Sequence, residues 1–249
     1  MNVIYFLSLF LLSIPTLLLI IEVIYSYKYL DIEVISMSLT NLTGIIPMYL
    51  CFKCNLLIEM IPFYFIVYSS GTYHLCNTIK YNGIICSLNK NYYLYMDFIN
   101  SYFCISTTAL HILWYGYNEG INIIFILKRI SIFLNLLFYT FTIIYLFNTS
   151  IPFLYTVCVI SSLIVYILWN KDIYIRSLNP DKFKILSIGI SLSMFAFLVY
   201  LYTIVLKMDD DYWILHSFGW HIPIMLSSAF LIEAFIKEKP LIENIEINL

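Results

Sequence analysis

The sequence predicts an all-α membrane protein, a bundle of seven transmembrane helices preceded by an extra hydrophobic segment. Hydrophobic residues make up 62% of the chain and charged residues only 11%, whereas soluble domains carry about 25% charged residues. The mean hydropathy is +0.89. Long apolar runs recur along all 249 residues, and a membrane-spanning helix needs only about 20 of them.

Eight apolar runs are separated by short polar joints. Asn148, Ser150 and Pro152 divide one apolar stretch of about 40 residues into two spans, because proline and the residue before it resist helix. The runs lie at residues 2–25, 36–52, 57–78, 93–115, 130–148, 151–170, 185–206 and 212–236. We therefore expect residues 35–237 to form the seven-helix core and residues 238–249 to form a tail.

Residues 1–34 contain the extra segment and a linker. No basic residue precedes its apolar stretch and no clear small-residue cleavage site follows it, which favours an uncleaved span over a signal peptide. A cleaved signal is the alternative, since a short first hydrophobic segment also delivers an N-terminus across a bilayer.

The 13 basic residues and the net charge of -2 exclude nucleic acid as a partner, which demands a concentrated basic surface. Basic residues in short loops instead indicate orientation, because they stay in the cytosol. Nine fall on the side of the C-terminus, which we therefore expect to be cytosolic, in a membrane of the secretory pathway or the plasma membrane. They are Lys53, Lys128, Arg129, Lys171, Arg176, Lys182, Lys184, Lys237 and Lys239.

Three of the four histidines are predicted at the opposite, luminal end of the spans. His74 ends the second core span, and His216 and His221 open the seventh. Asp97 opens the third at the same end, whereas His111 lies 14 residues further along that helix, about 21 Å away. Ionisable residues at membrane depth are costly unless they pair, face water or bind metal, so the sequence predicts a site here and assigns His111 to packing or to the opposite interface.

The chemistry of this group fits zinc. Three imidazoles supply nitrogen ligands of a tetrahedral set and leave a fourth position for water. Asp97 would accept or orient a proton of that water, and Ser70, four residues before His74 on one helix, would bind it or a developing oxyanion. The alternative is that the histidines are headgroup-level residues of an aromatic belt.

Four segments resemble the myomaker and transmembrane protein 8 family of the CREST superfamily, in order and in register with the spans. They are SSGTYHLCN (69–77), YMDFINSYFCIS (95–106), NPDKFKILSIGISL (179–192) and DDDYWILHSFGWH (209–221). The resemblance implies a seven-helix bundle with zinc held by His74, His216 and His221 near Asp97 and Ser70. It implies a zinc-dependent hydrolase of an amide or ester bond in a membrane lipid. The alternatives are a myomaker-like membrane-fusion factor without enzymatic activity and a receptor-like protein with structural zinc.

The sequence departs from the family at the last two histidines. They are typically four residues apart, but here Gly219 is inserted and His216 and His221 are five apart. Five residues on an ideal helix separate side chains by about 140° instead of about 40°. Both histidines then face one metal only in a π-type turn, which a glycine would ease. Otherwise one ligand is lost and the site is degenerate.

Two further expectations concern covalent and quaternary structure. Cys76 and Cys86 lie near the luminal face, where oxidising conditions permit a disulfide. A homodimer is left open.

Overall fold

A computed structural model gives the fold of the chain. It describes residues 13, 14, 16–21, 23, 24, 31–54, 56–76, 90–115, 122–145, 150–170, 178–206 and 212–236. Within these ranges nearly every residue is helical and no strand occurs. The all-helical prediction is confirmed, in keeping with the ability of a helix to satisfy its own backbone hydrogen bonds in an apolar environment.

From residue 32 onward, the described chain forms nine α-helices. They are α1 (Ile32–Leu39), α2 (Ile45–Lys53), α3 (Leu57–Cys76), α4 (Lys90–Tyr115), α5 (Asn122–Thr140), α6 (Ser150–Trp169), α7 (Pro180–Leu206), α8 (Tyr212–Ile214) and α9 (Ile222–Ala234). A 3-10 segment, Thr40–Gly44, joins α1 to α2. One π-helix, Phe141–Tyr145, extends α5, and a second, Leu215–His221, joins α8 to α9.

In the part of the chain that the structure describes, four helical stretches are long and apolar enough to cross a membrane: Ile32–Lys53, Ile126–Tyr145, Pro180–Thr203 and Leu215–Ala234. A shorter apolar helix covers Leu154–Trp169. The protein is therefore a multi-pass membrane protein by length and composition. Each of the four stretches contains most of a predicted run, although α5 begins before its run and takes Lys128 and Arg129, assigned to a loop from the sequence, into the helix.

Two long helices, α3 and α4, are less apolar because they carry many of the buried polar side chains. On α3 these include Ser69, Ser70, Thr72 and His74, and on α4 they include Asn100, Ser106, Thr107, Thr108 and His111. The two helices pack along each other. Polar groups therefore face the interior of the bundle rather than its surroundings.

The apolar core joins α2, α3, α4 and α9. Its buried members are Met48, Cys51, Phe52, Phe63, Ile66, Cys104, Met225 and Ile232. Helix α9 also packs along α7. Large apolar side chains on α6 and α7 are instead exposed, as with Leu168 at 67% and Leu198 at 61%. A continuous apolar exterior of this kind indicates contact with lipid.

The N-terminal hydrophobic segment lies against α1 and α3. Leu19 and Val23 are buried in a cluster with Val34 and Leu75. A Cβ atom on Gly71 would meet Leu19 Cδ2 at 2.4 Å, so the leucine fills the space that the absent side chain leaves on α3. The contact places this segment beside the helix that carries His74.

Candidate metal centre

Three histidines from two distant parts of the sequence converge at one end of the bundle. The candidate ligand atoms of His74, His216 and His221 all lie within 4.8 Å of one another. The ring centroids are 5.1 Å apart for His74 and His216, 5.0 Å for His74 and His221, and 4.5 Å for His216 and His221. Separation of these rings would have excluded a shared metal, and they are instead neighbours.

The turn between His216 and His221 is a π-helix, which runs over Leu215–His221. Because π-helical hydrogen bonds join residues five apart, side chains with that spacing lie on nearly the same face. The condition that the sequence set for both histidines to face one metal, a π-type turn, is met. The inserted residue therefore keeps both histidines in the cluster.

Gly219 permits this turn because it has no side chain. Its Cβ would lie 2.8 Å from Val199 Cγ1 of α7, and the residue is buried. The turn is wider than an α-turn and presses against α7 at this point. From the sequence, Gly219 was expected to ease the π-type turn through its backbone freedom. The structure adds a second reason, because a side chain at this position would collide with Val199.

Asp97 and Ser70 lie beside each other in the same region. The hydroxyl groups of Ser70 and Ser101 interact with the Asp97 carboxylate, and one carboxylate oxygen, Oδ1, is buried without a hydrogen-bond partner. Ser101 was missed in the sequence, although its position four residues after Asp97 puts both on one helix face. The carboxylate is thus oriented by two hydroxyls and keeps one oxygen available.

A cavity of about 160 Å³ connects these groups. Its polar lining includes Ser70, Asp97, Ser101, His216 and His221, and its apolar lining includes Ile66, Ile105, Val157, Ile160, Phe197 and Met225. Tyr200 of α7 and Trp220 also line it, with ring centroids 4.7 Å apart. A polar end with an apolar remainder suits an amphipathic molecule.

Two residues of the 3-10 segment contact the His221 ring. Its Nδ1 atom lies 3.1 Å from Thr40 Oγ1 and 3.4 Å from Asn41 Nδ2. Neither Thr40 nor Asn41 was predicted from the sequence to be part of the site. The available signal was a polar stretch, TNLTG at residues 40–44, inside an otherwise apolar span, where polar residues are costly without a partner.

His111 belongs to a different cluster, at the other end of α3 and α4. The Lys128 ammonium group contacts Glu59 Oε1, and His111 Nδ1 lies 3.6 Å from the same oxygen. The prediction that His111 stays apart from the other histidines is confirmed. Glu59 lies in the first turn of α3 and is only 4% exposed.

Cys76 is disulfide-bonded, and it lies two residues after His74 at the end of α3. Its expected partner, Cys86, lies outside the described residues. Four other cysteines are free: Cys51, Cys54, Cys104 and Cys158. The bond stands at the end of the bundle that was predicted to be luminal, where disulfides persist.

Residues 31–222 match a family described as a protein of unknown function (DUF3522). The chain belongs to the DUF3522 family. The matched region contains the three histidines, Asp97, Ser70 and Thr40, so the whole centre lies within the part that defines the DUF3522 family. The N-terminal hydrophobic segment lies outside it. No curated protein matches the sequence.

Proposed function

We propose that this protein is a CREST-like, zinc-dependent hydrolase that cleaves an amide or ester bond of a membrane lipid. One observation carries the proposal: the candidate ligand atoms of three imidazole rings lie within 4.8 Å of one another, beside a cavity that is also lined by a carboxylate and a serine hydroxyl. Superfamily resemblance in four segments supports the same reading.

The residues present fit a zinc ion. Zinc–nitrogen bonds of about 2.0 to 2.1 Å place tetrahedral ligands roughly 3.3 Å apart, a separation that small rotations of the three rings would reach. His74 Nε2 is buried without a hydrogen-bond partner, which is unfavourable for an imidazole nitrogen unless another ligand satisfies it. His74, His216 and His221 would hold the ion, and its Lewis acidity would supply water activation at neutral pH.

Asp97 and Ser70 would carry out the proton transfer and the oxyanion stabilisation that hydrolysis also requires. The free Oδ1 of Asp97 would accept the proton of the attacking water and return it to the leaving group. Ser70, whose side chain lines the cavity, would donate a hydrogen bond to the oxyanion that develops on the substrate carbonyl. Ser101 would keep the carboxylate in place. Addition of water across the bond would release a fatty acid and an amine or alcohol.

A lipid would enter laterally, between α6 and α7. Val157 and Ile160 on α6 and Phe197 on α7 line the cavity, yet 40%, 37% and 45% of their respective surfaces are exposed. The same side chains therefore contact both the cavity and the surroundings. An acyl chain in the bilayer would pass between them without leaving an apolar environment.

This mechanism requires the remaining long helices to cross the membrane. We propose that α3, α4 and α6 do so, which gives seven crossings in the order of the predicted core, with zinc in the luminal leaflet and the C-terminus in the cytosol. The lower hydropathy of α3 and α4 comes from polar residues that are buried inside the bundle, so it does not oppose insertion.

The test is mass spectrometry of lipids after incubation with purified protein, with and without a zinc chelator. Wild-type protein should release fatty acid, and the chelator should abolish the release. Asp97→Asn should retain zinc and lose most turnover, by about 100-fold or more for a general base. Leu198→Ala, on the exposed face of α7, is the matched control and should behave as wild type.

Absence of any chelator-sensitive product across ceramides, lysolipids and diacyl phospholipids would refute the hydrolase. Bound zinc without product would instead support the receptor-like alternative, in which the metal stabilises the bundle. A product that persists unchanged in Asp97→Asn would refute the assigned base but leave the metal centre intact.

A further inference from the structure

The first core helix is interrupted beside the histidines. Between α1 and α2 the backbone changes to 3-10 geometry over Thr40–Gly44, where hydrogen bonds join residues three apart rather than four. Such a change releases carbonyl groups at the junction from their regular partners. Side chains also contact the carbonyls at this junction: Thr40 Oγ1 donates to the Ser36 carbonyl at 2.9 Å, beside the Thr40 backbone N–H, and Asn41 Nδ2 donates to the Met37 carbonyl at 2.9 Å.

This arrangement determines which nitrogen of His221 carries a proton. A threonine hydroxyl has one proton, and that of Thr40 is directed at backbone carbonyls, the Ser36 oxygen at 2.9 Å or the Met37 oxygen at 3.2 Å. Its lone pairs remain to accept, so the contact at 3.1 Å is a hydrogen bond from His221 Nδ1–H to Thr40 Oγ1.

The opposite nitrogen is then the one with a free lone pair. A neutral imidazole has one protonated nitrogen and one acceptor nitrogen, so Nδ1–H leaves Nε2 as the ligand atom. The Asn41 amide would favour the reverse arrangement, but its contact with Nδ1 is longer, at 3.4 Å, and its nitrogen already donates to Met37 at 2.9 Å. The shorter contact with the Thr40 oxygen therefore decides the tautomer.

We propose that Thr40 is a positioning residue for the metal centre, holding His221 in the Nδ1–H tautomer with Nε2 directed at the ion. The inference rests on the proposed zinc centre and adds the first core helix to it. Thr40 is 8% exposed and His221 is 4% exposed, so water does not replace the contact readily. Metal-ligating histidines commonly depend on such a second hydrogen bond.

The experiment compares zinc affinity in Thr40→Val, Thr40→Ser and Thr43→Val, using the purified full chain and competition with a chromophoric chelator. Loss of the hydroxyl in Thr40→Val should weaken zinc binding by about 10- to 100-fold, whereas Thr40→Ser should remain close to wild type. Thr43→Val is the matched control, because Thr43 Oγ1 lies in the same 3-10 segment but donates to the Thr40 carbonyl. It should leave the affinity unchanged.

Two further readouts separate positioning from general destabilisation. The visible spectrum of the cobalt-substituted protein should change in Thr40→Val and remain that of wild type in Thr40→Ser and Thr43→Val. In wild-type protein without metal, nitrogen-15 spectra of labelled histidine should show a protonated Nδ1 for His221, assigned by its loss in His221→Gln. This last measurement decides the proposal even if Thr40→Val fails to fold.

The failures are distinguishable. Wild-type protein that binds no stoichiometric zinc refutes the metal centre itself. Wild-type binding with an unchanged affinity in Thr40→Val refutes the role of Thr40 and leaves the centre standing. A protonated Nε2 on His221 refutes the tautomer assignment, and an equal loss of affinity in Thr43→Val would show that the segment acts through its fold rather than through one hydroxyl.

Discussion

Two histidine-containing clusters lie at opposite ends of α3, and they resolve the burial of polar groups in different ways. His74 is near the end of the helix and Glu59 is in its first turn, which puts them about 22 Å apart along the axis. Near Glu59, a lysine and a histidine approach one carboxylate oxygen. Near His74, three histidines approach one another, and among the described residues no carboxylate oxygen joins the three as a candidate ligand.

The difference is one of charge. Glu59 and Lys128 neutralise each other, so their cluster contains both charges of an ion pair, although a buried pair contributes little net stability. Three imidazoles have only lone pairs and N–H groups to offer, and they gain little by facing each other. A shared cation would satisfy them. The proximity of histidines is therefore less informative about metal binding than the charge of the groups that lie beside them.

Replacing one histidine from each cluster should give the largest contrast. His74→Ala should abolish both bound zinc and lipid product, because two imidazoles rarely retain zinc at a catalytic site. His111→Ala, a change of the same size at another buried position, should retain both. Zinc content by elemental mass spectrometry on purified protein is the measurement. Zinc retained in His74→Ala would show that the ligand set is wrong.

Breaking the ion pair should change stability and not metal content. Glu59→Gln leaves the Lys128 charge without its partner, and such a loss costs about 3 to 5 kcal/mol when fully buried. The lysine side chain is 18% exposed, so we expect a value at the lower end. The double change Glu59→Gln with Lys128→Met removes both charges and should recover most of the loss. The free energy of unfolding in a denaturing detergent titration measures both.

Zinc stoichiometry is the control for the ion-pair variants. It should stay at the wild-type value in the single and the double variant, because the cluster lies at the far end of α3. A loss of zinc that follows the loss of stability would mean that the two ends of the bundle are energetically coupled. That result would contradict the independence of the two clusters.

Helix existence and histidine convergence were predictable from the sequence, whereas the supporting contacts were not. The apolar runs located the helices because hydrophobicity is the dominant signal in a membrane chain. The five-residue spacing of His216 and His221 left two outcomes, a π-type turn or the loss of one ligand, and the π-helix over Leu215–His221 is the first of them. Thr40 and Lys128 were missed for a shared reason: their partners lie 181 and 69 positions away in the sequence, and single-sequence patterns do not report tertiary contacts.

The smallest expected effect concerns the N-terminal segment, which lies on the α3 face next to the metal centre. Leu19 is 1% exposed and occupies the space above Gly71, so this segment should persist in the mature protein as an additional helix. Gly71→Ala should cost about 1 kcal/mol, at the low end for overpacking, because the atoms it meets are the terminal methyl groups of a leucine.

A compensating change tests that contact directly. Leu19→Ala should relieve the strain of Gly71→Ala, whereas Leu18→Ala, at a residue 44% exposed, should not. The thermal midpoint of the three variants measures the relief, and the intact mass of the purified protein tests retention. A mature protein that begins after residue 25 would show that the segment is a cleaved signal. The groove over Gly71 would then be open to lipid beside His74, and substitutions at Leu19 would have no effect on stability.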